Sequence, residues 1–481
     1  MRAMSVFLLT TLSACVGIAG LDGLVFEEGA GGAGGEETGG GGSGASGGEA
    51  TGGADPGTTT ALFYFEGDGT NARVMAHDFE TGVATPVSCA MDDALLGGAI
   101  PAAVFAIENR RATSPDMAPA VAFVDLDDSG DGNRALFIAD PTSDCDDNPP
   151  RRIDLQPRVG ELIVAPRFSP DGSRVAYLEG IEATPIIDVL RVVTVNIDGT
   201  EPRVLRSEQA LSEGSIFPAP PAWKSAPTEV AWVELSSNEV RVQFAEDVAF
   251  AAPMPRLTCP SSAFAFIAQL ELFTLEGSPK IGLVAQFAGT GMGGGGGVGG
   301  GGGMGAGTGA GDHGIFITDA SADCATLAEV FSSDPESVVA KDFALSPDQT
   351  VMAHHANRGG TEGIQLWLSE PDGDGLTRCD EDADPAFEAG ATWLAGGTQL
   401  AWTRSSLAPP YDGDIMIADV EGTTCSNIRP LRRDPPSEGG TRLLGYRGTC
   451  SGSPAPDSGS HAPWVLAMGA AWVAARRRRT G

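Results

Sequence analysis

The chain has 481 residues, with 30 Lys and Arg against 64 Asp and Glu, a formal net charge of −34 and 42% hydrophobic residues. That length suits two or three average domains or one large repeat fold, and the apolar content is enough to bury a core. The charge argues against a broad basic face for phosphate backbones, so no nucleic-acid partner is expected. It is compatible with solubility in the cell envelope, with cation binding, or with repulsion from an anionic surface.

Residues 1–15 set one early positive charge, Arg2, before a short apolar run and then small residues. This is the build of a secretory signal, too short to span a membrane as a mature helix. The run closes on Leu12-Ser13-Ala14-Cys15, which resembles the bacterial lipobox. The resemblance implies that the Cys15 thiol receives a diacylglycerol and becomes the new N-terminus. An ordinary signal peptide cut near Ala19 is the alternative. Residues 16–60 follow as a Gly/Ser-rich tether. Between 29 and 58 they are nearly all Gly, Ser, Ala, Thr and Glu, which cannot bury apolar surface and are expected to stay disordered.

Residues 61–447 are self-similar. In Phe168-Ser169-Pro170-Asp171-Gly172-Ser173-Arg174-Val175-Ala176-Tyr177 an apolar residue ends one strand, a turn follows, and an alternating strand begins. The layout recurs over Trp223 to Trp232, Leu345 to His354 and Trp393 to Trp402, more loosely over Phe273 to Val284, and Val121-Ala122-Phe123 matches its closing triplet. A second landmark, a hydrophobic strand running into a turn, appears at Val192 to Gly199, Ile415 to Gly422, Leu136 to Asp140, Ile315 to Asp319 and Leu366 to Glu370. Val74 to Gly82 fits the same slot, and Val240 to Phe244 fits it weakly.

This gives about seven units of about 55 residues, each with four short strands and an aromatic near the second. One such sheet cannot bury both its faces, whereas a closed ring of them can. The expected fold is all-β, a β-propeller of about seven four-stranded blades, with six or eight also open and a two-domain β protein as the alternative. The Phe168 to Tyr177 segment resembles the WD40-like repeat of TolB-type propellers. The first unit lacks an innermost strand, which Arg442-Leu443-Leu444-Gly445-Tyr446 is placed to supply.

A second Gly tract, residues 289–311, interrupts the fifth unit and reads as a surface loop. Its Gly289-Thr290-Gly291-Met292-Gly293-Gly294 matches Gly-x-Gly-x-x-Gly but opens no helix, so no nucleotide site is assigned. Asp127-Asp128-Ser129-Gly130-Asp131-Gly132 resembles the first half of a calcium loop, with Asp127, Ser129 and Asp131 as the candidate ligands. The twelfth position is Ile138, inside a strand, so a hairpin turn is preferred and no cofactor is expected. Asp372-Gly373-Asp374-Gly375 and Asp380-Glu381-Asp382 read as a turn and an acidic loop with weak cation binding as the alternative. His354 and His355 face opposite sides of a strand, and His354 occupies the slot of Tyr177, Trp232 and Trp402, so packing is preferred to metal binding. His-Glu-x-x-His does not occur, Gly-x-Ser-x-Gly occurs only as Gly44-Ala45-Ser46-Gly47-Gly48 within the Gly/Ser-rich tether, outside any strand-to-helix turn, and no catalytic residue is assigned.

The chain ends on Thr449-Cys450-Ser451-Gly452, a Pro/Ser/Gly spacer, a 12-residue apolar stretch from Trp464 to Ala475, and Arg476 to Arg479. As a helix the stretch reaches about 18 Å against a hydrocarbon core of about 30 Å, a poor permanent anchor. The order in residues 448–481 resembles the C-terminal sorting tails of the MYXO-CTERM type, which implies processing near Cys450. A frayed basic tail is the alternative. Setting aside Cys15 and Cys450 leaves Cys89, Cys145, Cys259, Cys324, Cys379 and Cys425, an even set for up to three disulfides in an exported chain, with the pairing open.

The expected protein is therefore exported and lipid-anchored at the outer membrane or cell surface. Three functions fit, in order of preference. The first is a non-enzymatic module binding an envelope protein or a peptidoglycan-associated partner. The second is a carbohydrate-binding or adhesion protein. The third is a glycan-active enzyme with carboxylates in the channel.

Overall fold

Alternating apolar residues commit the middle of the chain to strands that bury both faces, and turns with Gly, Asp and Ser set the strand ends. The computed structural model describes residues 61–444, except 68–70, 90, 93–106, 111–116, 127–133, 156–160, 184–185, 208–214, 217–218, 225–227, 237, 251, 262–263, 288–312, 321–323, 325–326, 333–339, 357–362, 381–385, 395, 407–412 and 433–440. The signal, the tether, the calcium-like residues Asp127, Ser129 and Asp131, the second Gly tract, Cys15, Cys450 and the sorting tail therefore lie outside the described residues.

Among the described residues the regular structure is strand throughout, and the fold is a β-propeller. Blade 1 holds β1 (Ala61–Gly67), β2 (Asn71–Asp78), β3 (Ala84–Pro86) and the short β4 (Met91–Asp92); blade 2 holds β5 (Ile107–Asn109), β6 (Val121–Leu126), β7 (Arg134–Ala139) and β8 (Arg151–Arg152). Blade 3 holds β9 (Glu161–Phe168), β10 (Arg174–Ala183), β11 (Ile186–Asn196) and β12 (Arg203–Ser207). A bridging strand, β13 (Ser215–Ile216), precedes blade 4, which is β14 (Ala222–Trp223), β15 (Glu229–Leu235), β16 (Glu239–Glu246) and β17 (Met254–Pro260). Blade 5 holds β18 (Phe264–Leu275), β19 (Ser278–Phe287), β20 (His313–Asp319) and β21 (Ala328–Ser332). Blade 6 holds β22 (Ala340–Leu345), β23 (Met352–Ala356), β24 (Gly363–Ser369) and β25 (Thr377–Arg378). Blade 7 holds β26 (Ala386–Trp393), β27 (Gln399–Ser406), β28 (Gly413–Glu421) and β29 (Thr424–Pro430), and β30 (Thr441–Leu443) follows.

Hydrogen bonding groups these strands into five sheets. The two largest each join two blades: β13 bridges β11 to β15, and β24 pairs in parallel with the start of β26. Elsewhere within the blades the pairing is antiparallel. β30 pairs with β1, Phe65 opposite Leu443, so the end of the ring supplies the innermost strand of blade 1 and closes the circle.

Buried apolar residues form seven clusters, one at every boundary between successive blades, including that between blades 7 and 1. The repeated triplet explains them. Side chains alternate along the second strand of a blade. Tyr177 therefore faces blade 2 while Ala176 faces blade 4, and Trp232 faces blade 3 while Ala231 faces blade 5. Phe123 and Ala122, Trp402 and Ala401 follow the same rule. In blade 6 His354 stands opposite Phe343 and Trp367, in the aromatic slot. Blade 5 uses Leu283 in that slot and Gly282 in the small one, where an added Cβ would lie 2.7 Å from the Phe343 ring. Blade 1 departs from the rule, with Phe63 in the small position. Each large residue so buried contributes about 2–3 kcal/mol, and the small partner sets how closely the blades approach.

The turns repeat at atomic detail. Ser169 Oγ donates to Asp171 at 2.6 Å and accepts from Arg174 N at 2.9 Å; Ser346 Oγ donates to Asp348 at 2.6 Å and accepts from Val351 N at 3.0 Å. Gly172, at φ 63°, is matched in blade 6 by Gln349 at φ 62°.

Candidate functional site at the ring axis

The innermost strands β5, β9, β14, β18, β22, β26 and β30 surround the axis. The innermost strand of blade 4, β14, is only two residues long, and its Trp223 donates from Nε1 to the carbonyl of Arg167 at 3.0 Å. This fixes the end of β9 and sends Arg167 inward. Its guanidinium reaches Glu108 of blade 2 at 3.0 Å and Glu271 of blade 5 at 3.3 Å, joining blades that are not neighbours. Only a group near the axis can do that.

Burial alone would lower the pKa of the Arg167 guanidinium, but the charges of Glu108, Glu271 and Asp342 outweigh it and hold the group above its ordinary value. One arginine thus bridges two carboxylates, Glu108 and Glu271, and offsets part of their mutual repulsion.

Around this centre several buried polar groups join neighbouring blades. Gln269 Nε2 donates to the Phe343 carbonyl at 2.8 Å and its Oε1 accepts from Phe343 N at 3.0 Å, so a side-chain amide from blade 5 imitates a strand partner for blade 6. Asn109 does the same for Phe63 between blades 2 and 1, at 2.9 Å in both directions. Asp342 accepts from Gly390 N at 3.0 Å and lies 2.5 Å from His355 Nδ1. Glu388 accepts from Leu366 N at 2.6 Å and from Trp402 Nε1 at 3.0 Å. At the closure, Arg442 binds Glu66 of blade 1 at 2.9 Å and Asp414 of blade 7 at 3.1 Å.

The Asp342–His355 pair has the form of a carboxylate-oriented imidazole. Both side chains are sealed, at 1% and 0% exposure, and the arrangement holds β22 to β23 rather than facing a substrate. Among the described residues no cluster of His, Cys, Asp and Glu has the arrangement of a metal site. Asp372 accepts from Asp374 N within a turn that Glu370 closes, at 3.1 and 2.8 Å.

The six central cysteines pair as Cys89–Cys145, Cys259–Cys324 and Cys379–Cys425. Each bridge joins the outer parts of successive blades: 1 to 2, 4 to 5 and 6 to 7. Disulfides of this kind persist in oxidising compartments outside the cytosol. Arg167, Glu108, Glu271 and Asp342 belong to no motif of the sequence. The one local signal is Arg167 itself, a charge closing the apolar run Leu162-Ile163-Val164-Ala165-Pro166.

No protein-family model matches the sequence, and no curated protein matches it. Solved structures resemble the fold. A puromycin-hydrolyzing peptidase from Mycobacterium tuberculosis is 16% identical, with a TM-score of 0.47 over 78% of this chain and 53% of its own. TolB from Acinetobacter baumannii is 10% identical, with a TM-score of 0.40 over 80% of this chain and 82% of its own. The β-propeller domain of the Trilobed protease from Pyrococcus furiosus is 12% identical, with a TM-score of 0.39 over 68% and 83%. The chain spans about half the length of the peptidase. At these identities the likeness is one of fold alone.

Proposed function

We propose that this chain is an exported, lipid-anchored propeller that serves the cell envelope as a binding or scaffold module, engaging a protein or peptidoglycan-associated partner through its faces. The observation that carries the reading is the axial ion cluster. A ring fold offers its centre as the natural place for a ligand or a reaction, and here Arg167, Glu108 and Glu271 are committed to one another and Asp342 to Gly390 and His355. Their role is cohesion between blades, which leaves the outer faces for recognition. The three disulfides suit an extracytoplasmic site, and Cys15 is the proposed lipid-bearing residue, with Cys450 marking a processed sorting tail.

The test is fractionation of cells carrying the wild-type chain or Cys15→Ala, followed by cross-linked pull-down. The wild type is expected in the membrane fraction with a reproducible envelope partner, and Cys15→Ala in the soluble fraction with that partner retained. A soluble wild type, or turnover of a polysaccharide by the purified chain, overturns the reading.

A further inference from the structure

In a chain of net charge −34, the stretch from Val248 to Pro255 contains no charged residue: Val-Ala-Phe-Ala-Ala-Pro-Met-Pro. It runs from the end of β16 into the first residues of β17, yet it is not core. Among the described residues four large hydrophobic side chains are exposed, and three of them are here: Val248 at 49%, Phe250 at 80% and Met254 at 60%. Scattered single apolar residues are ordinary on a surface, whereas three sharing one loop are not.

The backbone makes the arrangement more telling. Phe250 sits at φ 55°, in the left-handed region. The other described non-glycine residues in that region are Glu201, Glu276, Gln349 and Asn427, all polar. A bulky aromatic there is an outlier that costs on the order of 1 kcal/mol or more. Exposure returns none of that cost, so folding by itself favours Gly or Asn at this position.

The loop is also firmly based. The buried Asp247 carboxylate pairs with the Arg174 guanidinium, 2.7 Å from Nε, and accepts from Arg203 Nη1 at 2.9 Å and from Thr194 Oγ1. Asp247 N donates to the Thr228 carbonyl at 2.7 Å, and Phe250 N donates to the Val204 carbonyl of blade 3 at 2.8 Å. Anchors from two blades thus hold a strained aromatic out toward solvent, which is how a preorganised contact residue is built.

We infer that the Val248–Phe250–Met254 loop is a docking surface for another protein that offers an apolar pocket rimmed by Lys and Arg. Charge complementarity selects this occupant. Glu246 is exposed at the loop base, the Glu201 side chain is 62% exposed and paired with Arg203 at 2.7 Å, and the chain as a whole carries a net charge of −34. A second copy would bring the same acidic surface, and an anionic lipid surface would repel it. A basic rim around an apolar pocket satisfies both features of the loop. The inference rests on the binding-module reading above and assigns its surface.

The test uses the full native chain with a photo-reactive benzoyl-phenylalanine replacing Phe250. The cross-linked protein is identified and purified, and its affinity is measured for the wild type and for Phe250→Gly over a salt series. The glycine is expected to keep or raise the unfolding temperature, because it relieves the positive φ. It is expected to weaken binding by at least about tenfold, with wild-type affinity falling as salt rises. An adduct only to the chain itself, an adduct only to phosphatidylglycerol vesicles, no adduct, or an affinity indifferent to Phe250→Gly or to salt overturns the inference. A cross-linker at Val83, exposed on blade 1, separates the two failures. A partner captured there and not at 250 overturns this surface but keeps the binding module, and silence at both positions counts against both.

Discussion

Glu276 and Gly277 make a two-residue hairpin between paired Leu275 and Ser278, with φ of 50° and 78°. Both values are positive, as in a type I′ turn, where Asn-Gly is the favoured pair. Glu276 pays for the left-handed backbone without a compensating role that the fold needs. Glu276→Asn is therefore expected to stabilise the chain by up to about 1 kcal/mol, read as a higher urea midpoint. An unchanged or lower midpoint would mean that the glutamate does something at that turn. The contrast with Gln349 is instructive, since its side chain accepts a 2.7 Å hydrogen bond from Thr274 N in the next blade and so has reason to stay. The two positions look alike in sequence, as polar residues in a turn; what separates them is a neighbour 75 residues away.

At the scale of elements, the aromatic-and-small triplet was legible because its cause is local: a strand alternates faces, and each face meets one neighbouring blade. Val175-Ala176-Tyr177 and Leu400-Ala401-Trp402 carry their packing partners' identities in their own spacing. The disulfide pairing was not legible, because spacing says nothing about which outer strands lie side by side. The axial cluster was hidden for the same reason, with Arg167 and Glu108 59 residues apart and in different blades. The Val248 to Pro255 stretch reads as core by composition, and only its exposure shows otherwise. An outer strand pairs along one edge only, so a bridge there adds a tie that the ladder does not supply. Removing the Cys259–Cys324 bridge, across a separation of 65 residues, by Cys259→Ala with Cys324→Ala is expected to cost about 4 kcal/mol through loop entropy in the unfolded chain. Equilibrium unfolding measures it, and a cost below about 1 kcal/mol would show that the boundary between blades 4 and 5 is held by its apolar cluster alone.

For the whole molecule, closure is the step that turns seven marginal blades into one body. Arg442 is 1% exposed and ties Glu66 to Asp414 across the junction. Both carboxylates are about a quarter exposed, so solvent screens them, and Arg442→Met is expected to cost about 1–3 kcal/mol rather than the full penalty of a buried pair. Proteolysis of the native state should then begin in blades 1 and 7. Equal sensitivity in all blades would place the weak point elsewhere. The bridges themselves run 89 to 145, 259 to 324 and 379 to 425, and none encloses another. If the chain is exported N-terminus first, each pair can therefore oxidise as soon as two successive blades have emerged. Earlier cysteines find their partners before later ones arrive to compete. Only the docking of β30 on β1 must wait for the complete ring, and its far longer loop adds only about 2 kcal/mol of closure entropy over a disulfide loop. Maturation then needs three local oxidations in order and one late capture, with no reshuffling of sulfurs between them.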